Sequence, residues 1–261
     1  MPRTQHTHTS RLPLYAVAAL LAVPSASAAA GAGTGPLGVT GTAAATAQSA
    51  RVGALFLAGR RDHLRGGHFC TASVVHSPRH DLIVTAAHCL DGKREELVFA
   101  PGYRDGVAPY GVWTVEKWFL SDGWVEGRDE DSDVAFAVVE RRGGKGVEDA
   151  VGGNRFAAGT APGATAVTMT AYLNSRETPI SCADKPRLHH RTQQSVACPG
   201  FGGGSSGSPW VDGDGQVVGV LGGHDNGGHS ANVSYSVVFG AEAKALYGES
   251  AGCVESHVGS S

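Results

Sequence analysis

Short apolar runs, each closed by glycines or a polar turn, set the terms on which this chain can fold. They fall at 52–57, 72–75, 82–85, 97–99, 113–118 and 134–139, and then at 166–173, 193–197, 216–221 and 233–238. Runs of this length and spacing predict strands rather than helices. The 38 glycines suit the many tight turns that such a chain needs. A stretch at 141–163, rich in glycine and poor in bulky side chains, divides the runs into two sets and predicts a connection between two lobes. The one long helix expected lies near 241–246, where Ala, Glu and Lys favour it. The fold class expected is therefore all-β with a short C-terminal helix.

The chain opens with Arg3 and Arg11, an apolar stretch from Leu12 to Val23, and the small residues Ala26-Ser27-Ala28, the layout of a signal peptide spanning residues 1–28. The apolar stretch is only roughly a dozen residues against the ~20 that cross a bilayer. No membrane attachment is expected once the signal is removed. Residues 29–50 are almost entirely Ala, Gly, Thr and Ser and predict a flexible, low-complexity leader or propeptide. The folded domain is expected at 51–250, in lobes at about 51–145 and 160–250, with a tail at 251–261. A hydrophobic content of 41% argues against disorder, and a net charge of −3 offers no basic face for nucleic acid. The expectation is a secreted, extracellular monomer.

Two segments carry reactive chemistry. Thr85-Ala86-Ala87-His88-Cys89 places a histidine just beyond a strand, and Gly204-Ser205-Ser206-Gly207-Ser208-Pro209 places serines in a glycine-flanked turn. A hydroxyl is a weak nucleophile at neutral pH, so it needs a base, a carboxylate orienting that base, and backbone donors for the oxyanion. The carboxylate must be buried and so should border an apolar strand; Asp133, just before 134–139, meets that condition. Asp129, Glu130 and Asp131 read instead as a solvated charge run. Gly203-Gly204-Ser205-Ser206-Gly207 also fits the G-x-S-x-G turn of α/β-hydrolases, but too little chain follows Ser205 to hold the acid and histidine that fold requires.

The strings around His88 and Ser206 resemble the trypsin/chymotrypsin family of serine peptidases, most nearly its bacterial secreted members, over roughly residues 52–247. The family's serine motif usually reads Gly-Asp-Ser-Gly-Gly-Pro or Gly-Asp-Ser-Gly-Ser-Pro. Aligning Gly207 and Pro209 to it makes Ser206 the nucleophile, with the backbone N–H groups of Gly204 and Ser206 as oxyanion hole. The chain order His88, Asp133, Ser206 follows the family's. The resemblance implies two packed antiparallel β-barrels and a cofactor-free serine endopeptidase that forms an acyl-enzyme. Its partners would be protein or peptide substrates and protein inhibitors. A non-catalytic binding protein retaining the fold, or an esterase-like acyl hydrolase, are the alternatives; the complete triad weighs against the first.

The resemblance also implies a Cys70–Cys89 disulfide bracing the histidine loop; Cys182–Cys198 is then the economical second pair, leaving Cys253 over. At Ser205 the animal digestive enzymes carry an aspartate that pairs with the amino terminus freed on activation. A serine cannot supply that charge, so activation by an inserted terminus is not expected, despite a faintly junction-like Arg51-Val52-Gly53. Six residues before the nucleophile, where trypsin-like specificity uses an aspartate, stands Gly200, so no Arg or Lys preference is expected. Gly222, Gly223 and His224 should border the substrate pocket, where His224 and His229 would favour acidic side chains unless they are solvent-exposed loop histidines. No metal is expected: Asp212-Gly213-Asp214-Gly215 reads as a hairpin turn, and His189-His190 and His224/His229 lack zinc-peptidase spacing.

Overall fold

The computed structural model describes Met1 and residues 36–252. The signal region beyond Met1, residues 29–35 and Cys253 lie outside the described residues.

Six strands close the first lobe into a barrel in the order Val52–Leu57, His68–Val75, Leu82–Thr85, Ala135–Val139, Trp113–Leu120, Leu97–Pro101, every neighbouring pair antiparallel. Alternation decides which side chains fill it: Ala72 and Val74, Ile83, Leu97 and Phe99, Trp113 and Val115, Ala135 and Ala137 share the interior cluster. The opposite face of two of these strands is apolar as well. Leu82, Val84 and Phe136 join Val217, Val220, Phe239 and Leu246 in a second cluster between the lobes. Burial on both faces is why 82–85 and 134–139 read as continuous apolar runs rather than alternating ones.

The second lobe is built from two sheets. One runs in the order Gly41–Thr42, Ile180–Asp184, Val167–Ala171, Pro209–Asp212, Gln216–Val220, Arg155–Phe156; the other is Arg187–Leu188, Gln193–Val196, Ser234–Val237. Side chains help close the seam between them. Val220 N–H donates to Ser236 Oγ at 3.0 Å, Gln194 Nε2 to Val218 O at 3.3 Å, and Gly222 N–H to Tyr235 O at 3.0 Å. A Cβ on Gly219 would lie 2.5 Å from Ser236 Oγ, so the seam requires glycine there.

The Cys70–Cys89 bridge lies in the first lobe and Cys182–Cys198 in the second, with Cα separations of 6.2 and 6.0 Å. Loops of this length contribute on the order of 3 kcal/mol each by restricting the unfolded chain. The C-terminal helix, Ala241–Ser250, buries Ala243 and Leu246 in the interlobe cluster. Among the described residues no helix is long and apolar enough to cross a membrane.

Five strands escape the apolar-run reading: the two-residue Gly41–Thr42, Arg155–Phe156 and Arg187–Leu188, and two longer ones. Ile180–Asp184 carries one large apolar residue, and Pro209–Asp212 starts on a proline directly after the serine turn. The 141–163 connection contains the helix Val147–Val151, whose Val147 is fully buried.

The flexible leader expected at 29–50 does not hold for residues 36–50, which pack on the domain. Gly38 N–H donates to Ala183 O at 2.8 Å and Ala43 N–H to Pro179 O at 2.9 Å, while Gly41 and Thr42 pair with Ser181 and Ile180. Thr46 caps the short helix Ala47–Ala50, and Gln48 Nε2 reaches Asn154 Oδ1 at 2.8 Å. Backbone hydrogen bonding holds this segment, which is why its lack of large apolar side chains misleads. A chain beginning at Ala50 should unfold at lower urea than one beginning at Pro36, by roughly 2–4 kcal/mol at ~0.5–1.5 kcal/mol per lost bond; equal midpoints would show that the segment adds nothing.

Candidate active site

Strand register brings His88 and Asp133 together. Thr85, the last residue of Leu82–Thr85, pairs with Ala135, the first of Ala135–Val139, so both chains leave the sheet at the same end. From there the four-residue helix Ala87–Leu90 buries Ala87, Cys89 and Leu90 and leaves His88 half-buried. Asp133 has no exposed surface. Its Oδ2 accepts from His88 Nδ1 at 2.7 Å and its Oδ1 from the His88 backbone N–H at 3.0 Å. Because an acceptor faces Nδ1, the proton of a neutral imidazole sits there and Nε2 keeps its lone pair.

The second lobe repeats the device. Pro209 pairs with Val220, so the serine turn before one strand and Gly222-Gly223 after the other emerge together. Gly223 N–H donates to Asp133 Oδ2 at 2.7 Å, joining the lobes. Thr71 N–H donates to Ser206 O at 2.8 Å, and Thr71 adjoins Cys70, which is bridged to the Cys89 next to His88. Among the described residues no hydrogen bond engages the Ser206 hydroxyl, so a bond to His88 Nε2 is not formed in this structure.

Two backbone donors are left for an anion. Gly203 C=O accepts from Asn174 N–H at 2.8 Å, so the opposite end of that trans peptide, Gly204 N–H, is turned away. Ser205 C=O accepts from Ser208 N–H at 3.0 Å, which likewise turns Ser206 N–H to the other side. Neither N–H has a partner among the described residues.

The family model described as a trypsin-like peptidase domain matches residues 70–220, more than half of the chain and spanning His88, Asp133 and Ser206. The chain belongs to the trypsin-like peptidase family. Among curated proteins none matches it. Among solved structures, it is similar to the thermostable serine protease AL20 from an extremophilic microorganism, at 28% identity and TM-score 0.68 over 80% of this chain and 100% of that one. It also resembles the protease Anisep from Arthrobacter nicotinovorans, at 24% identity and TM-score 0.69 over 82% and 99% of the two chains. Human heparin binding protein shares the fold at 13% identity and TM-score 0.60, over 87% and 99%.

In this trypsin-like peptidase the other expected site residues are distributed unevenly. Gly222 abuts the His88–Asp133 pair, since a Cβ there would lie 2.7 Å from Asp133 Oδ2. Gly200 is exposed, at φ +90°, with open space where a side chain would start. His224 is drawn elsewhere: Nδ1 is 3.4 Å from Glu130 Oε2 and Nε2 is 3.2 Å from Asp225 Oδ2, while its ring packs on His189 and Tyr235. Ser205 is buried and donates to Gly202 O at 2.6 Å. A cavity of about 370 Å³ opens beside His88, lined also by Asp91, Trp124, Arg128, Glu130 and Asn226. A larger one, about 650 Å³, lies at Ala47, Tyr110 and Tyr172, away from His88, Asp133 and Ser206.

Sequence reasoning missed Thr71. Fully buried, it donates from Oγ1 to Gly204 O at 3.0 Å and accepts there from Tyr172 N–H at 3.0 Å, while its own C=O receives Thr85 Oγ1 at 2.8 Å. It therefore ties the serine turn to the histidine strand. Only its place between Cys70 and the run 72–75 marks it in the sequence, which is no signal of function. Thr71→Val keeps the shape and removes the hydroxyl. The expected result is a loss of about 1–3 kcal/mol in urea unfolding, because Tyr172 N–H and Gly204 O lose their partner, and a fall in peptidase turnover read on any cleavable peptide.

Proposed function

We propose that the protein is a secreted serine endopeptidase in which Ser206 is the nucleophile, His88 the general base and acid, and Asp133 the orienting carboxylate. The 2.7 Å contact between a fully buried carboxylate and His88 Nδ1 carries this reading, because it leaves Nε2 as the base. In the reaction Ser206 Oγ attacks the scissile carbonyl carbon while its proton passes to His88 Nε2. The charge that develops on the carbonyl oxygen is met by the N–H groups of Gly204 and Ser206. Collapse of the tetrahedral species breaks the C–N bond, and His88 returns the proton to the departing amine. Water, deprotonated by His88, then releases the acyl group. In free enzymes the serine–histidine bond is often long and tightens in the substrate complex, so its absence here is compatible with this role.

The proposed domain takes in the packed segment from 36 through the C-terminal helix, after loss of residues 1–28, and acts as a monomer on protein or peptide substrates. With Gly200 and no carboxylate at that position, a cationic substrate side chain gains nothing to offset its desolvation. Preference for acidic side chains through His224 is also disfavoured, since they would compete with Glu130 and Asp225 for its ring nitrogens. Activation by an inserted amino terminus at Val52 is disfavoured too: Val52 pairs with Ser73 inside a barrel strand.

A fluorophosphonate should label Ser206 alone, as read by mass spectrometry of the adduct; labelling of Ser205 sinks the assignment. Ser206→Ala should abolish most turnover, and Asp133→Asn should lower kcat by about 10⁴-fold by leaving the imidazole in the wrong tautomer. A folded protein that neither labels nor turns over peptides would instead be a binding protein on the same fold. On a mixed peptide library, cleavage after Arg or Lys should not dominate; a clear basic preference would mean that another acidic residue serves the pocket.

A further inference from the structure

At the opposite end of the strand pair that carries the triad, two imidazoles and two carboxylates converge. The turn 76–81 enters Leu82–Thr85 at Leu82, whose partner is Val138, whereas His88 and Asp133 leave at Thr85 and Ala135. The two ends are roughly 10 Å of strand apart. His76 Nδ1 lies 2.8 Å from Glu148 Oε1, and His80 Nδ1 lies 2.7 Å from Asp149 Oδ1. The ligand atoms of His76, His80 and Glu148 all fall within 4.8 Å of one another.

The surroundings orient these groups. Ser77 N–H holds Glu148 Oε2 at 3.2 Å and Gly146 N–H holds Asp149 Oδ2 at 2.8 Å, so in each carboxylate one oxygen is anchored and the other faces an imidazole. Glu148 N–H donates to His80 O at 3.0 Å, and Tyr247 Oη donates to His76 O at 2.8 Å, fixing both ends of the turn. His80 adopts φ +60°, an uncommon conformation for a histidine, and it places the ring beside Asp149. The nearby cations have other partners: Arg79 Nε pairs with Asp81 at 2.8 Å, and Arg141 Nη2 donates to Gly144 O.

We propose that His76, His80 and Glu148, with Asp149 steadying the His80 ring from outside, form a site for a divalent transition-metal ion, zinc foremost, that pins the 76–81 turn to the helix Val147–Val151. Imidazole with carboxylate is a ligand set suited to zinc, copper or nickel, whereas calcium takes oxygen ligands alone. Backbone donors on the far carboxylate oxygens are the outer contacts that steady metal ligands. The ion would clamp the start of the interlobe connection to the first barrel. The Glu130, His224 and Asp225 cluster is a poorer host: it holds one imidazole, whose two nitrogens face different carboxylates, and the adjacent His229 is 84% exposed.

The test uses the full secreted chain carrying Ser206→Ala, so that self-digestion does not intrude, titrated with zinc chloride alone. One equivalent should bind by calorimetry, and Tm should rise by on the order of 5–10 °C at a hundredfold excess of free zinc over Kd. His76→Ala and His80→Asn should each weaken binding about tenfold or more. Asparagine tolerates the left-handed backbone at position 80, which separates loss of a ligand from loss of fold. On the Ser206 parent, His80→Asn should leave metal-free peptidase activity unchanged. Asp225→Asn should keep the zinc response. Absence of a zinc-dependent Tm shift, survival of that shift in both histidine variants, its loss in Asp225→Asn, or an equal response to calcium would each overturn the proposal.

Discussion

A carboxylate with no exposed surface must have its charge met inside the protein, and Asp133 imposes that demand on both lobes. Three N–H groups answer it: the ring and backbone of His88 from the first lobe, and Gly223 from the second. Removing one partner of a buried charge costs on the order of 3–5 kcal/mol, because the charge remains without compensation. Packing of the two lobes and orientation of the imidazole are thus the same interaction seen from two sides. It also accounts for Gly222, where any Cβ would press on Asp133 Oδ2 at 2.7 Å.

The serine turn is held by a second set of contacts that converge on Thr71. Ser206 O, Gly204 O, Tyr172 N–H and Thr85 Oγ1 all bond to its backbone or hydroxyl. Gly207 must come equally close, since a Cβ there would stand 2.1 Å from both Thr71 O and Thr85 Oγ1, and its φ is +80°. Glycine satisfies both conditions without strain. Nearly every group that fixes Ser206 is therefore backbone or a small hydroxyl, and the Cys70–Cys89 bridge links this framework covalently to the residue after His88.

That reliance on backbone explains which parts of the structure can be read from the sequence. His88, Asp133 and Ser206 stand at the borders of apolar runs or glycine turns, and their residue types are demanded by chemistry, so the strings around them are informative. The barrel strands are legible for the same reason: side chains pointing into a core leave a period. Residues 36–50 are held by main-chain bonds to Ala183 and Pro179, which leave no trace in Ala, Gly, Thr and Ser. The Ser236 seam and the Thr71 junction are single polar residues whose role depends on what faces them across the fold. His224 has the residue type for a substrate contact, yet Glu130 and Asp225, distant from each other in sequence, claim its nitrogens.

Ser205 shows how the serine turn is held without a buried ion pair. Its hydroxyl donates to Gly202 O at 2.6 Å, its N–H to the same carbonyl at 3.1 Å, and its C=O receives both the N–H and the hydroxyl of Ser208. Asn174 N–H fixes the neighbouring Gly203 carbonyl. An ion pair at this position would have to bring two charges out of water, each at a penalty of several kcal/mol, and would exist only after a terminus had been freed. Local neutral hydrogen bonds contribute about 0.5–1.5 kcal/mol apiece and form as the turn folds. A turn built in this way orients Gly204 and Ser206 N–H as the second lobe folds, with no charge required from elsewhere in the chain.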